Sequence, residues 1–129
     1  MKLTITSVHG RGKFNDEYVL LKAMFDCNMS SYILADTTYV TPQTISNKSR
    51  NMHWFLGLPL KTGEHVIFYT KSGTYSRTTN PSGMIFHHVY WGLQAAVWNN
   101  TGDYAHLFEI ADRQVLRKLC ITRSSVCLK

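Results

Sequence analysis

The stretch VWNNTGDYAHLF, residues 97 to 108, decides how this chain is read. Asn99, Asn100, Thr101, Gly102 and Asp103 place five polar or turn-forming residues between a tryptophan and a run that turns apolar again. A carboxylate beside two amides and a hydroxyl suits the rim of an active site. It suits equally well a connection that only reverses the chain. The rest of the sequence must separate the two.

Outward from that stretch, the hydrophobic period stays close to two. LTITSV puts Leu3, Ile5 and Ser7 on one face, and EYVLLKAMF sets Val19, Leu21 and Ala23 against Tyr18, Leu20 and Lys22. SYILAD, NMHWFLGL, EHVIFYT, MIFHHVYW, AAVWNN and YAHLFEI are further short β-rich runs. Gly10-Arg11-Gly12, Pro42, Leu58-Pro59, Thr62-Gly63, Lys71-Ser72-Gly73 and Asn80-Pro81-Ser82-Gly83 punctuate them. Strands this short, separated by such turns, predict an all-β sandwich or barrel of about seven to nine strands. ADRQVLRKL fits a helix by spacing and a hairpin by its turn at Asp112-Arg113, and the hairpin is preferred. SSVCLK at the end reads as an extra edge strand or a tail.

With 129 residues, of which 44% are hydrophobic, the chain can bury one core and is no disordered tail. No apolar run approaches the roughly 18 residues of a membrane helix. MKLTITSVHG has no continuous apolar segment of the kind a signal peptide needs, so the expectation is a cytoplasmic protein with no membrane partner. Cys27, Cys120 and Cys127 are an odd set without paired spacing, expected as reduced thiols.

The formal charge of +6 is uneven. Glu64 is the single acid between Asp36 and Asp103, and none follows Asp112. An anionic partner is one consequence, since neutralising phosphates releases counterions. NKSRNMHWF interleaves Lys48 and Arg50 with Trp54, a loop composition able to touch phosphates and stack a base. Lys71, Arg77, Arg113, Arg117, Lys118 and Arg123 complete the candidate nucleic-acid contacts. The plainer reading is that Trp54 and Phe55 begin a core strand and the charges solvate a loop.

No catalytic set emerges. There is no G-x-S-x-G elbow, and the cysteines sit in or beside apolar runs. His87 and His88 are adjacent on a strand, so they point to opposite faces and cannot share an ion. His53, His65 and His106 lie on different strands and read as half-exposed strand histidines, so no metal and no cofactor is expected. Gly10-Arg11-Gly12-Lys13 lacks the length and the following helix of a phosphate loop, and reads as a hairpin connection. A cavity lined by His and Cys side chains would reopen an enzymatic reading.

The order of these pieces resembles the lamin-tail domain, an immunoglobulin-like β-sandwich. NDEYVLL is similar to that family's opening strand, with Tyr18 in the aromatic place. SYILAD resembles its aromatic-x-L-x-D segment through Tyr32 and Asp36, and FLGLPLKTGEHVIFYT its L-x-x-G and following strand, with Gly63 between. VWNNTGDYAHLFEIADRQVL is the closest piece, through Trp98, Gly102, Asp103, Ala105 and Leu107. The resemblance covers residues 1–119, leaving 120–129 as an extension, and treats TTYVTPQTIS as a lengthened loop after Asp36.

The resemblance implies a non-enzymatic binding or scaffolding module that meets a protein or itself. DNA or RNA binding through Lys48, Arg50, Lys71, Arg77 and the basic C-terminal run is the alternative. No small-molecule ligand is indicated. In this frame residues 99–103 become a strand connection, with Trp98, Ala105 and Leu107 facing the core.

Overall fold

The computed structural model describes residues 1–41, 44–98, 103–114, 116, 120–121 and 126–127. For 37–41, 44–50, 103, 120–121 and 126–127 it describes the backbone alone. Gly102, Arg117, Lys118 and Arg123 therefore lie outside the described residues. In chain order the strands are β1 (Leu3–His9), β2 (Tyr18–Ala23), β3 (Cys27–Asn28), β4 (Tyr32–Thr41), β5 (Thr44–Trp54) and β6 (Pro59–Leu60). They continue with β7 (His65–Tyr69), β8 (Ser76–Thr79), β9 (Ile85–Tyr90), β10 (Asp103–Glu109), β11 (Cys120–Ile121) and β12 (Val126–Cys127). Eight of them have four residues or more, within the expected number.

A five-stranded sheet runs β1-β2-β7-β9-β8 and a three-stranded sheet runs β10-β4-β5. Leu3, Val19, Leu21, Val66 and Phe68 from the first share one core with Tyr32 and Leu34 from the second, and Ala105 and Leu107 pack against it. The all-β sandwich read from the sequence is what the chain forms. Along β2 the alternation is complete, with Val19, Leu21 and Ala23 buried. Along β1 it is not. Ile5 pairs with Leu21, but Ser7 pairs with Leu20, so Thr6 is an extra residue and the phase flips. Val8, not Ser7, then joins Ile5 against the core. The β1–β2 connection is the expected glycine-bearing turn. Gly10 (φ +63°) has no room for a side chain, because a Cβ would stand 2.4 Å from the Asp16 carbonyl oxygen.

Other expectations are overturned. TTYVTPQTIS is not a lengthened loop: β4 runs to Thr41 and β5 starts at Thr44, so all but 42 and 43 belong to a long antiparallel hairpin. Threonine, tyrosine, valine and isoleucine dominate that stretch and suit a pleated surface. Lys48 and Arg50 consequently stand on strand β5, not in a loop. AAVWNN is no strand over its described residues, for a reason given below. Residues 111–114 and Leu116 form neither helix nor strand, and Leu116 is 79% exposed. In the C-terminal extension β11 pairs with β12, which brings Cys120 and Cys127 opposite each other in backbone register. Among the described residues no helix is long and apolar enough to cross a membrane.

Sequence reasoning had no handle on the order of strands in the larger sheet. β7 pairs with β9 in parallel, and β8, between them in sequence, is displaced to the edge. The segment 70–75 therefore leaves β7 and crosses to that edge.

Candidate functional sites

Glu17 is fully buried at the mouth of the β1–β2 turn. One carboxylate oxygen accepts from the Thr70 hydroxyl at 2.5 Å and the Val97 N–H at 2.8 Å. The other accepts from the Trp98 N–H at 3.0 Å and the Gly12 N–H at 3.2 Å. Four donors, from the adjoining turn and from two segments distant in sequence, satisfy one acid, as a buried carboxylate requires. The Val97 and Trp98 amides that a ladder would have used are thereby taken, so this segment caps the carboxylate instead of extending a sheet. Sequence reasoning missed Glu17 as a structural centre; its place just before an alternating strand was the only signal.

Asp36 plays a related part in the smaller sheet. Ala35 pairs with Met52 but Thr37 with Ser49, so β5 carries an extra residue there. The Asp36 carboxylate accepts the Asn51 N–H at 2.6 Å and satisfies that irregularity. Tyr32, also buried, donates to Glu109 at 2.8 Å, and burial together with that carboxylate pushes its phenol up to about 12. Gly63 has φ +90° and donates its N–H to Ala23.

Among the described side chains, the outer face of the three-stranded sheet carries an apolar cluster. Ile33 and Ala35 on β4 stand opposite Trp54 and Met52 on β5, and opposite Phe108 and His106 on β10. Trp54 is 46% exposed, Met52 58% and Phe108 44%, while Ala35 between them is shielded. The rings of Tyr104, His106 and Phe108 follow one another along β10 at 6.3 and 6.0 Å. Arg113 reaches this face, its guanidinium 5.0 Å from the centre of the Trp54 ring. The Trp54 indole N–H donates to the Ser30 carbonyl at 2.7 Å, which fixes the ring. Trp54 thus closes β5 on the outside, and Phe55, after the strand, enters the core.

The candidate nucleic-acid residues divide between the sheets. Trp54 and Arg113 meet, with Lys48 and Arg50 further along β5. Lys71 and Arg77 belong to the other sheet, Lys71 5.4 Å over the Tyr69 ring and Arg77 on exposed edge strand β8. That second sheet carries its own aromatic row. His9, Tyr18, Tyr69 and Tyr90 are successive register partners across four strands, at ring distances of 4.6, 5.8 and 4.7 Å. The His9–Tyr18 and Tyr69–Tyr90 pairs stack face to face, so those ring faces are spent on each other and hold the sheet.

His53 and His106 are half-buried as expected, whereas His65 and His87 are buried. His87 is 4% exposed and lies between Glu64, at 2.9 Å from Nε2, and the Tyr75 hydroxyl, at 2.7 Å from Nδ1. His88 points to the other face, as expected, and shares hydrogen bonds with Tyr69 and Thr78. His65 is buried against Phe86. His53 packs among Phe55, Phe68 and Trp91, and burial lowers its affinity for a proton. Among the described residues no group of three His, Cys, Asp or Glu side chains is placed to hold a metal ion. The lone acid of a basic span, Glu64, has become the partner of a buried histidine.

Burial alone would raise the Glu64 carboxyl, but hydrogen bonds from His87 and the Lys61 N–H, with the charges of His87 and Arg77, bring it below its usual 4.5. A depressed acid stabilises the fold above its unfolded value, and that contribution is lost as pH falls through the folded one. Urea midpoints are therefore expected to fall as pH drops through and below the usual 4.5 of the carboxyl, and Glu64→Gln to flatten the drop. An unchanged acid slope in the variant would show that Glu64 does not couple folding to protons.

Beside this chain of groups lies an open cavity of about 420 Å³, walled by Met29, His53, Phe55, Leu58, Tyr75 and Val89 among others. Cys27, the cysteine whose side chain is described, does not line it. A smaller, polar cleft of about 340 Å³ lies beside Trp54 and Arg113. Compared with known proteins, the chain matches no family model, no curated protein and no solved structure.

Proposed function

We propose that this chain is a non-enzymatic binding module, an immunoglobulin-like sandwich of the lamin-tail kind, that docks through the outer face of β10-β4-β5. The carrying observation is the exposed cluster of Trp54, Met52 and Phe108 around Ile33, rimmed by Arg113. Tryptophan, methionine, aromatic residues and arginine are what interface centres are made of, and isolated apolar side chains are not. The described part of this face, around Ile33, Met52, Trp54 and Phe108, suits an equally apolar occupant. A second copy of the chain supplies one by packing the same face about 10 Å away across a two-fold axis.

Sedimentation equilibrium from about 5 to about 500 µM is expected to show a dimer, with Trp54→Ala and Phe108→Ala each weakening it about 30-fold if they are hot spots. A monomer throughout that range would overturn self-docking.

Single-stranded nucleic acid is the second reading, favoured by the Arg113–Trp54 contact and by Lys48 and Arg50 on the same strand. It requires affinity that falls steeply with salt. Absence of a gel shift even at low salt would end it.

A further inference from the structure

We propose that the cavity beside β9 binds a small, largely apolar molecule carrying a hydrogen-bond donor, such as a substituted phenol, with the Tyr75 oxygen as acceptor. The site shares none of Met52, Trp54 and Phe108 with the docking face, so either proposal can fail alone. An engineered cavity of about 150 Å³ already holds benzene. The 420 Å³ here leaves room for a ring with a short substituent, and lies within the range of natural ligand pockets. Met29, Phe55, Leu58 and Val89 supply apolar wall, and the thioether of Met29 adapts readily to shape.

The polar wall is where the choice of ligand is made. Glu64 and His87 are 9% and 4% exposed, and Tyr75, 48% exposed, is the end of the chain that reaches solvent. An apolar pair of similar volume would hold the strands as well or better, so stability alone does not explain a buried ionisable pair at this place. The direction of the chain is set from its buried end. An ionised carboxylate only accepts, so His87 donates from Nε2. A neutral imidazole then accepts at Nδ1, and the Tyr75 O–H is committed to it. What Tyr75 offers a ligand is its oxygen lone pairs, strengthened as acceptors by the hydrogen bonds behind them. Toward Tyr75 the ligand must therefore bring the proton; His53 and Tyr90 are the other polar side chains of the wall.

The test compares 4-propylphenol with propylbenzene, which has the same shape and no donor, at about pH 8.5, above the ordinary range of an imidazole. Amide ¹H–¹⁵N shifts of Leu56, Gly57, Leu58 and Val89 report occupancy. The phenol is expected to saturate these shifts and to bind about 3- to 10-fold tighter than propylbenzene, the worth of one neutral hydrogen bond. Tyr75→Phe removes only the hydroxyl of a half-exposed residue; it should keep propylbenzene binding and erase the preference, with its urea midpoint confirming the fold. No saturable shift from either compound would overturn the proposal. So would equal affinities in the unaltered protein, or a preference that survives Tyr75→Phe.

Discussion

Glu17→Ala is expected to lower the unfolding free energy by about 3–5 kcal/mol, because hydrogen bonds to a charged group contribute about 1.5–3 kcal/mol each and buried donors left unmatched cost more. Three backbone N–H groups, of Gly12, Val97 and Trp98, would lose their acceptor, and the Thr70 hydroxyl a fourth bond. Against a total stability of about 5–15 kcal/mol for a domain, that is a third or more. Glu17→Gln is the sharper variant. Its side chain has the same shape, but an amide NH₂ replaces one acceptor and confronts N–H donors, so about 2 kcal/mol should still be lost. Urea unfolding followed by circular dichroism measures both. If Glu17→Ala unfolds within about 1 kcal/mol of the unaltered protein, the acid is not the tie between these segments.

Trp98→Ala is the second large effect, about 3–5 kcal/mol for emptying a fully buried tryptophan site. Its side chain is 1% exposed, belongs to the shared core and lies 6.4 Å from the Trp91 ring. The backbone amide of residue 98 survives the substitution, so the bond to Glu17 can remain. The two losses separate only if the anchor holds without the side chain. A double variant measures this: additive losses mean independent packing and capping, whereas a double loss well below the sum means that each holds the other in place. A single loss for Trp98→Ala below about 1 kcal/mol would contradict its place in the core.

Much of the sandwich was legible because a strand buried on one face writes itself as alternation. Val19, Leu21 and Ala23 against Tyr18, Leu20 and Lys22 need no partner to be recognised, and the turn at Gly10-Arg11-Gly12 states where the chain reverses. Ala105 and Leu107 were read correctly as inward-facing for the same reason, whereas Trp98, expected inward from the resemblance, is buried on a segment that is not a strand. The apolar outer face of β10-β4-β5 was half legible. Trp54 and Arg113 were both singled out as basic-aromatic candidates, but nothing in a one-dimensional pattern brings residue 113 over residue 54. Nor could it send Lys71 and Arg77 to the other sheet.

The amino-acid order alone determined the strand-forming runs, their inward residues and the class of the fold, since these depend on local periodicity and on residues near in sequence. Which strands became neighbours, and with them the parallel β7–β9 pair, was decided in three dimensions by the shared core. The same holds for Glu17, whose donors lie up to 81 residues away, and for the Glu64–His87–Tyr75 chain. A buried polar group must find partners wherever the packed chain presents them, and that demand leaves no periodic trace in the sequence. So VWNNTGDYAHLF holds both kinds of information. Ala105 and Leu107 were fixed by alternation, whereas the amides of Val97 and Trp98 took their role from an acid eighty residues earlier.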